Sequence, residues 1–404
     1  MTPRTVENIR SEAVSLTAPA PPLSPHPMDF PSPLPGPLSR RRFLAALPAC
    51  VALNAATASA QDPAASTFST PAIKITPPRI RIGQIGTKHG HAAGKLETIL
   101  KFPDLYELIG VVEPDKERRA AIANTAPYAG ICWLDEDALL STTGLKAVAV
   151  ETPVAELAPT ALRCLSAGIH IHLDKPAGGS LDQCRAIHAL AQKRALTVQM
   201  GYMLRYNPAF AFAHRILREG WLGEVTELSG MMGKTLNDAG RLQLAEFSGG
   251  GMFELGCHLI DQVVSLMGPP QKVTAHTRRS FSKKDSFADN QLAVFDYPNA
   301  TATIRTNFID PFGGPRRQFS ITGTQGTLEI RPLEPQPLAR LALEKPHDRF
   351  SAGYQDVSFE RTAGRYDAEF IDFARVIRGE KRLAWDAAHD IATHETVLRA
   401  SGML

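Results

Sequence analysis

From residue 79 onward, apolar positions follow two alternating rhythms. Short apolar runs at 79–85, 107–112, 147–151, 169–173 and 196–202 each end near glycine, proline or an acid. Between them lie stretches with helical spacing at 92–100, 115–123, 134–140, 159–167 and 181–194. Gly168 follows the fourth of these as a helix-stop glycine. Strand and helix alternating at this interval predict a parallel α/β sheet with right-handed crossovers. After about residue 203 the rhythm changes. A helix over 208–219 precedes strand-like runs at 225–234, 273–280, 291–297, 300–308, 318–322 and 326–331. Short connections between successive runs are the habit of an antiparallel sheet. A helix over 253–267 interrupts them, and helices over 366–377 and 386–401 close the chain. The predicted class is α/β. A doubly wound parallel domain spans 79–202, and an α/β domain with an open, mainly antiparallel sheet spans 203–404.

The segment before residue 79 reads differently. Ser39-Arg40-Arg41-Arg42-Phe43-Leu44 precedes an apolar stretch, 43–56, that is too short to span a bilayer. Ala58-Ser59-Ala60 supplies small residues for cleavage after Ala60. Residues 1–60 therefore read as a twin-arginine signal peptide, with the twin-arginine translocase as partner and a periplasmic destination. The alternative is a basic N-terminus before an ordinary apolar helix. Nine prolines between residues 19 and 37 predict disorder, and Met28 offers a second start. Residues 61–78 read as a linker. The chain carries 44 basic and 41 acidic residues, a net +3. That near balance speaks against a nucleic-acid or anionic-membrane partner. Cys132, Cys164, Cys184 and Cys257 make no C-x-x-C pair or zinc spacing. A protein folded in the reducing cytosol before export should hold them as free thiols.

Three segments carry chemistry. Gly86-Thr87-Lys88-His89-Gly90-His91 sits where the first strand meets the first helix. Glycines there let backbone approach a pyrophosphate at a helix N-terminus. Counted from Gly86 as G-x-G-x-x-G, Lys88 and His91 occupy the second and third glycine places. Lys88 or His89 could supply a cation instead, and a plain structural turn is the alternative. Glu113 ends the second strand, where an acid can accept the ribose hydroxyls and disfavour a 2′-phosphate. That predicts NAD in preference to NADP; a solvated strand-end carboxylate is the alternative.

His170-Ile171-His172-Leu173-Asp174-Lys175-Pro176 lies at the carboxyl end of a parallel strand, where open α/β sheets bind ligands. Pro176 fixes the backbone of Lys175, whose ammonium can favour an alkoxide. His170 and His172 share one strand face; packing is expected of them rather than a metal, since no third ligand is near in sequence. On the helix over 253–267, Glu254 and His258 are i,i+4 neighbours and Asp261 lies one turn further on. This polar stripe could orient a general base; the alternative is a solvated helix face.

Together these segments resemble the glucose–fructose oxidoreductase / inositol dehydrogenase family (Gfo/Idh/MocA) over residues 79–401. The matching motifs are the Gly86 turn, Glu113, Thr152-Pro153, Ala167-Gly168-Ile169-His170 into Asp174-Lys175-Pro176, and Gly201-Tyr202 with Arg205 and Pro208. They continue through Glu219-Gly220-Trp221-Leu222-Gly223 and Gly249-Gly250 to Glu254, Gly256, His258 and Asp261. The resemblance implies a Rossmann domain, a second domain whose open sheet makes a homodimer or homotetramer, and a sugar or polyol substrate. Its catalytic set falls on Lys175, Glu254 and His258. Gly86, Thr87, Lys88, His89, Glu113, Thr152, Pro153, Asp174 and Lys175 are expected at the cofactor. Tyr202, Arg205, Lys234 and Asp261 are expected at the substrate. Lys88 stands for a glycine, Glu254 for an aspartate, and Val154 and Leu157 for the asparagine and histidine of T-P-N-x-x-H.

The leading expectation is an exported NAD(P)-dependent oxidoreductase with tightly held cofactor, because no free NAD(P) pool exists outside the inner membrane. An NAD-dependent glycoside hydrolase or lyase with transient redox, and a non-catalytic sugar- or nucleotide-sensing module, are the alternatives. Replacing Arg40 and Arg41 by lysine is expected to strand the precursor in the cytoplasm, as read by fractionation and N-terminal sequencing. Mature protein starting near Gln61 outside the inner membrane in that variant would rule export out.

Overall fold

The computed structural model describes residues 77–404 apart from 247, 282–284 and 361–363. The signal peptide and most of the linker read from the sequence lie outside the described residues. The described residues fall within one compact unit.

Its first layer is a parallel sheet of β1 (Ile80–Ile85), β2 (Tyr106–Val112), β3 (Ala147–Val150), β4 (His170–Leu173) and β5 (Val198–Met200) in the order β2-β1-β3-β4-β5. All four residues of β3 are buried, as a strand covered on both faces requires. The connecting helices are α1 (Ala92–Lys101), α2 (Lys116–Ile122), α3 (Glu136–Leu140), α4 (Val154–Ser166) and α5 (Leu181–Lys193). Asp115 caps α2 and Ser180 caps α5 through their side chains. Helix α4 starts five residues before the sequence expectation, directly after Pro153, and carries Pro159 within it.

The second layer follows a 3₁₀ turn (Met203–Tyr206) and α6 (Pro208–Arg218), which begins with proline at its first turn and Asn207 as cap. The layer is an eight-stranded sheet. Its strands are β6 (Val225–Gly233), β7 (Lys272–Arg278), β8 (Asn290–Asp296), β9 (Thr301–Asn307), β10 (Gln318–Gly323), β11 (Gly326–Ile330), β12 (Leu338–Leu343) and β13 (Gly353–Ser358). The order is β13-β12-β11-β10-β6-β9-β8-β7, with β6 and β9 parallel and the other pairs antiparallel. Strands β8 and β9 alternate buried and accessible positions, so one face is covered and the other is not. The covered face carries α8 (Cys257–Met267), packed so close that a methyl on Gly230 of β6 would lie 2.9 Å from Leu259. Helix α7 (Asp238–Leu244) and strands β12 and β13 had no clear sequence signal. Strand β13 exposes most of its polar side chains as a sheet edge.

The last two helices, α9 (Asp367–Ile377) and α10 (Ala387–Ala400), tie the layers together. The sequence placed both in the second domain, yet α9 lies against the first sheet. His172 meets Glu369 at 2.7 Å and stacks on Phe370, while Gln199 donates to the Glu369 carbonyl. Helix α10 meets α8 through a buried ion cluster. The Arg205 guanidinium donates to Asp261 at 2.7–3.1 Å and to Asp390 at 2.6 Å, between the rings of Tyr202 and Trp385. Among the described residues no helix is long and apolar enough to cross a membrane.

Removing one partner of a buried ion cluster strands the opposite charges. Arg205→Met, which leaves Asp261 and Asp390 uncompensated, is expected to cost about 3–5 kcal/mol in urea unfolding. A loss below about 1 kcal/mol, the range of an exposed pair, would show that the cluster does not join the layers.

Candidate active site

Strand β1 runs into Gly86, whose φ of 93° lies in the left-handed region. A Cβ there would sit 2.6 Å from the Glu151 carbonyl, so the loop crosses the end of β3 only as glycine. The amide and hydroxyl of Thr87 donate to Glu113 Oε2 at 3.1 and 2.6 Å, and the Asp115 amide donates to Oε1 at 3.0 Å. Glu113 thus ends β2 beside the loop, as expected. Lys88 instead turns to Asp115, with Nζ 2.6 Å from Oδ2 at the surface. Arg118 closes the loop from α2, donating to the Thr87 carbonyl at 3.1 Å.

These residues fit a dinucleotide laid across the strand ends. A Cβ on Gly90 would meet nothing within 4 Å, so the turn before α1 is open. Thr152, at the carboxyl end of β3 just before Pro153, has a buried hydroxyl without a hydrogen-bond partner. Open backbone and an unspent buried donor are what a bound phosphate or ribose would use.

Beneath the loop lies a knot of charge. Lys95 of α1 is fully buried, with Nζ 3.0 Å from Glu151 Oε1 and 3.0 Å from Asp174 Oδ2. Burial works against its charge, but Asp174 and Glu151 outweigh that and raise its pKa. His89 Nδ1 and His91 Nδ1 reach the same Asp174 oxygen at 2.8 and 3.1 Å. Burial opposes the Asp174 charge, yet His89, Lys95 and His91 hold its pKa well below the ordinary value. Burial and the neighbouring Asp174 push Glu151 well above its own. Burial lowers His91 to about 4. His89, His91 and Asp174 are close enough to hold a metal ion. The same Asp174 oxygen already carries the Lys95 ammonium, which suits hydrogen bonding better than a second cation. His170 and His172 are structural: the first accepts from the Thr197 amide, and the second pairs with Glu369.

Next to this knot the expected catalytic residues converge. Lys175 Nζ donates to the Glu254 carbonyl and lies 4.0 Å from its Oε1. Lys234, at the end of β6, donates to Glu254 Oε1 at 3.2 Å. Burial disfavours the Glu254 carboxylate, but Lys175 and Lys234 more than offset it and lower its pKa. His258 is 1% exposed, and its Nδ1 has no hydrogen-bond partner. Burial and the Lys175 charge push its pKa well below 6.5, so the imidazole is neutral.

Three residues expected at the substrate make contacts with other side chains. Tyr202 is 1% exposed and sets its ring edge-on to His258, 6.1 Å between centroids. Arg205 and Asp261 are bound to each other in the ion cluster behind α8. The reason is local. Met252–Gly256 forms a π-helical turn before α8, so the stripe does not keep one helical phase. Glu254 stays at the site while Asp261 faces Arg205. Sequence reasoning missed Lys95, Glu151 and Tyr366, whose ring lies 5.8 Å from that of His91. A lone lysine in α1 gives no signal of burial, and Tyr366 arrives from a distant segment.

A Rossmann sheet with a Gly86 turn, joined to an open sheet that brings Lys175, Glu254 and His258 together, defines a nicotinamide-dependent dehydrogenase. The patterns described as "Oxidoreductase family, NAD-binding Rossmann fold" and "GFO/IDH/MocA C-terminal domain" match residues 80–202 and 210–329. The chain belongs to the Gfo/Idh/MocA family of NAD(P)-dependent oxidoreductases. It is 25% identical over 285 residues to an uncharacterized oxidoreductase of Schizosaccharomyces pombe, C115.03, covering 67% of this chain and 76% of the relative. It is 24% identical over 284 residues to a Bacillus subtilis scyllo-inositol 2-dehydrogenase (NAD(+)), covering 68% and 80%. The fold is shared with KijD10, a 3-ketoreductase from Actinomadura kijaniata solved with NADP and TDP-benzene. That likeness has a TM-score of 0.67 at 18% identity and covers 79% and 96%.

Proposed function

We propose that this protein is an exported NAD-dependent oxidoreductase that oxidises a hydroxyl of a sugar, polyol or related compound and keeps its cofactor bound. The carrying observation is a buried His258 with a free Nδ1 beside the charged cluster of Lys175, Glu254 and Lys234; burial and Lys175 lower the His258 pKa well below 6.5. Bound nicotinamide supplies the hydride acceptor. His258 takes the hydroxyl proton on its ring nitrogen. Lys175 stabilises the developing alkoxide. Glu254, held by Lys234, orients the substrate from a carboxylate one methylene longer than the aspartate usual in the family. Export rests on the arginine pair and cleavage pattern at 40–60, and cofactor retention follows from export. The relative named for scyllo-inositol supports the polyol class. A homodimer or homotetramer through the open face of the eight-stranded sheet belongs to the same reading.

NAD is preferred because the Glu113 carboxylate lies at the loop and repels a 2′-phosphate. The Arg118 side chain is engaged with Thr87. Calorimetry on cofactor-stripped protein should show tighter binding of NAD than NADP, with Glu113→Ala narrowing the gap. Equal affinities in the unmodified protein would remove Glu113 from this role.

Both His258→Ala and Lys175→Ala are expected to retain cofactor and to lower single-turnover reduction of bound nicotinamide by about 10² or more, the usual contribution of a positioned acid–base group. The depressed pKa of His258 leaves the base unprotonated below pH 6.5, so the acid limb of the pH–rate profile should fall below that value. Retained turnover in both variants would refute the mechanism.

A further inference from the structure

A cavity of about 1110 Å³ lies outside the Lys175–Glu254–His258 cluster. It starts beside it. Arg317, on its wall, donates to the carbonyl of Gly233, the residue before Lys234. Met203 and Arg365, also on the wall, directly adjoin Tyr202 and Tyr366 in sequence, and those rings contact His258 and His91. The cavity also reaches Lys101 and Phe102 at the carboxyl end of α1. Its size exceeds the roughly 300–1,000 Å³ that drug-sized ligands occupy, far more than one monosaccharide needs.

The lining shows what would fill it. Ionic groups there are largely spent on one another. Arg365 makes a bidentate pair with Glu334 at 2.7 and 2.8 Å, Arg317 lies 3.6 Å from the same carboxylate, and Lys101 pairs with Asp367. Asn207 donates to the Leu333 carbonyl and caps α6, and the Tyr206 hydroxyl donates to Asp372. What remains towards the cavity is largely apolar: Phe102, the ring of Tyr206, Pro315, Pro335, Pro337 and Ile371. Ile371 is 38% exposed, although it is a large apolar residue on the first turns of α9. Self-neutralised charges with proline and aromatic walls suit a flat, uncharged ring system better than a diphosphate.

We propose that this cavity is an aglycone subsite, so that the substrate is a glycoside whose sugar meets Lys175 and His258 while a bulky, uncharged, apolar or aromatic group fills the space beyond Arg365. This rests on the redox reading above and names the substrate class for it.

The test uses the holoenzyme and three sets of probes: 4-methylumbelliferyl glycosides of a panel of sugars, the matching methyl glycosides, and UDP-glucose. Binding is read by calorimetry and oxidation by absorbance of the bound cofactor. Aryl glycosides should bind about tenfold or more tighter than methyl glycosides, the gain expected from burying one aromatic ring system. Ala368→Trp, on an exposed position of α9 that faces the cavity, should abolish that gain and leave methyl glycosides unchanged. Ile371→Arg should do the same. Equal binding of aryl and methyl glycosides, an aryl advantage that survives both variants, tighter binding of UDP-glucose, or no binding of any probe overturns the subsite. An aryl advantage lost in both variants, without oxidation of any probe, upholds the subsite and defeats the oxidoreductase reading instead. Oxidation without an aryl advantage does the reverse.

Discussion

The rest of the site depends on one buried ammonium. Lys95 rises from α1 between Glu151, at the end of β3, and Asp174, at the end of β4. Two ionised carboxylates at the carboxyl edge of a parallel sheet would repel each other and both lose hydration; the buried Lys95 helps to hold Asp174 ionised, while burial and Asp174 keep Glu151 well above its ordinary pKa. The same contact fixes three pieces of backbone at once. It seats α1, and with it the Gly86 turn through His89 and His91. It holds Asp174, whose Oδ1 accepts the Lys175 amide and so aims the next side chain. The Gly86 loop and Lys175 are therefore positioned by one electrostatic knot.

The catalytic cluster uses the opposite balance. Around Glu254 the cations are in excess, with Lys175 and Lys234 both within 4.0 Å of one oxygen. That excess keeps the carboxylate ionised, while burial together with Lys175 lowers the His258 pKa well below 6.5. A neutral base beside a cation is the arrangement that proton removal from an alcohol needs, because the base is free and the developing negative charge is met. Behind His258, the ring of Tyr202 and the Arg205–Asp261–Asp390 cluster fill the space between α8 and α10. These groups pack behind His258.

Much of this was legible in the chain. The apolar rhythm fixed the parallel strands, because a strand buried on both faces must be apolar throughout, as β3 is. The change of rhythm near residue 203 marked the second sheet, since its strands need only one apolar face. Lys175, Glu254 and His258 stood out because strand-end and helical spacing place them locally, and the family motifs name them. Strands β12 and β13 were missed because edge strands carry weak apolar patterns, and the packing of α9 on the first sheet was not legible because nothing local says which sheet a helix covers.

The sequence alone thus determined the fold class and the glycine turn after β1, and it singled out Lys175, Glu254 and His258 as candidates, all of which depend on short-range spacing. Tertiary structure decided the rest. It separated Asp261 from Glu254 through a π-helical turn, withdrew Arg205 into an ion cluster, and brought Lys95, Glu151 and Tyr366 to the site. Whether a charged side chain faces a ligand or a buried partner depends on what packs opposite it. Here the opposing groups lie far away in the chain, as Asp390 does from Arg205, and only folding brings them within hydrogen-bond reach.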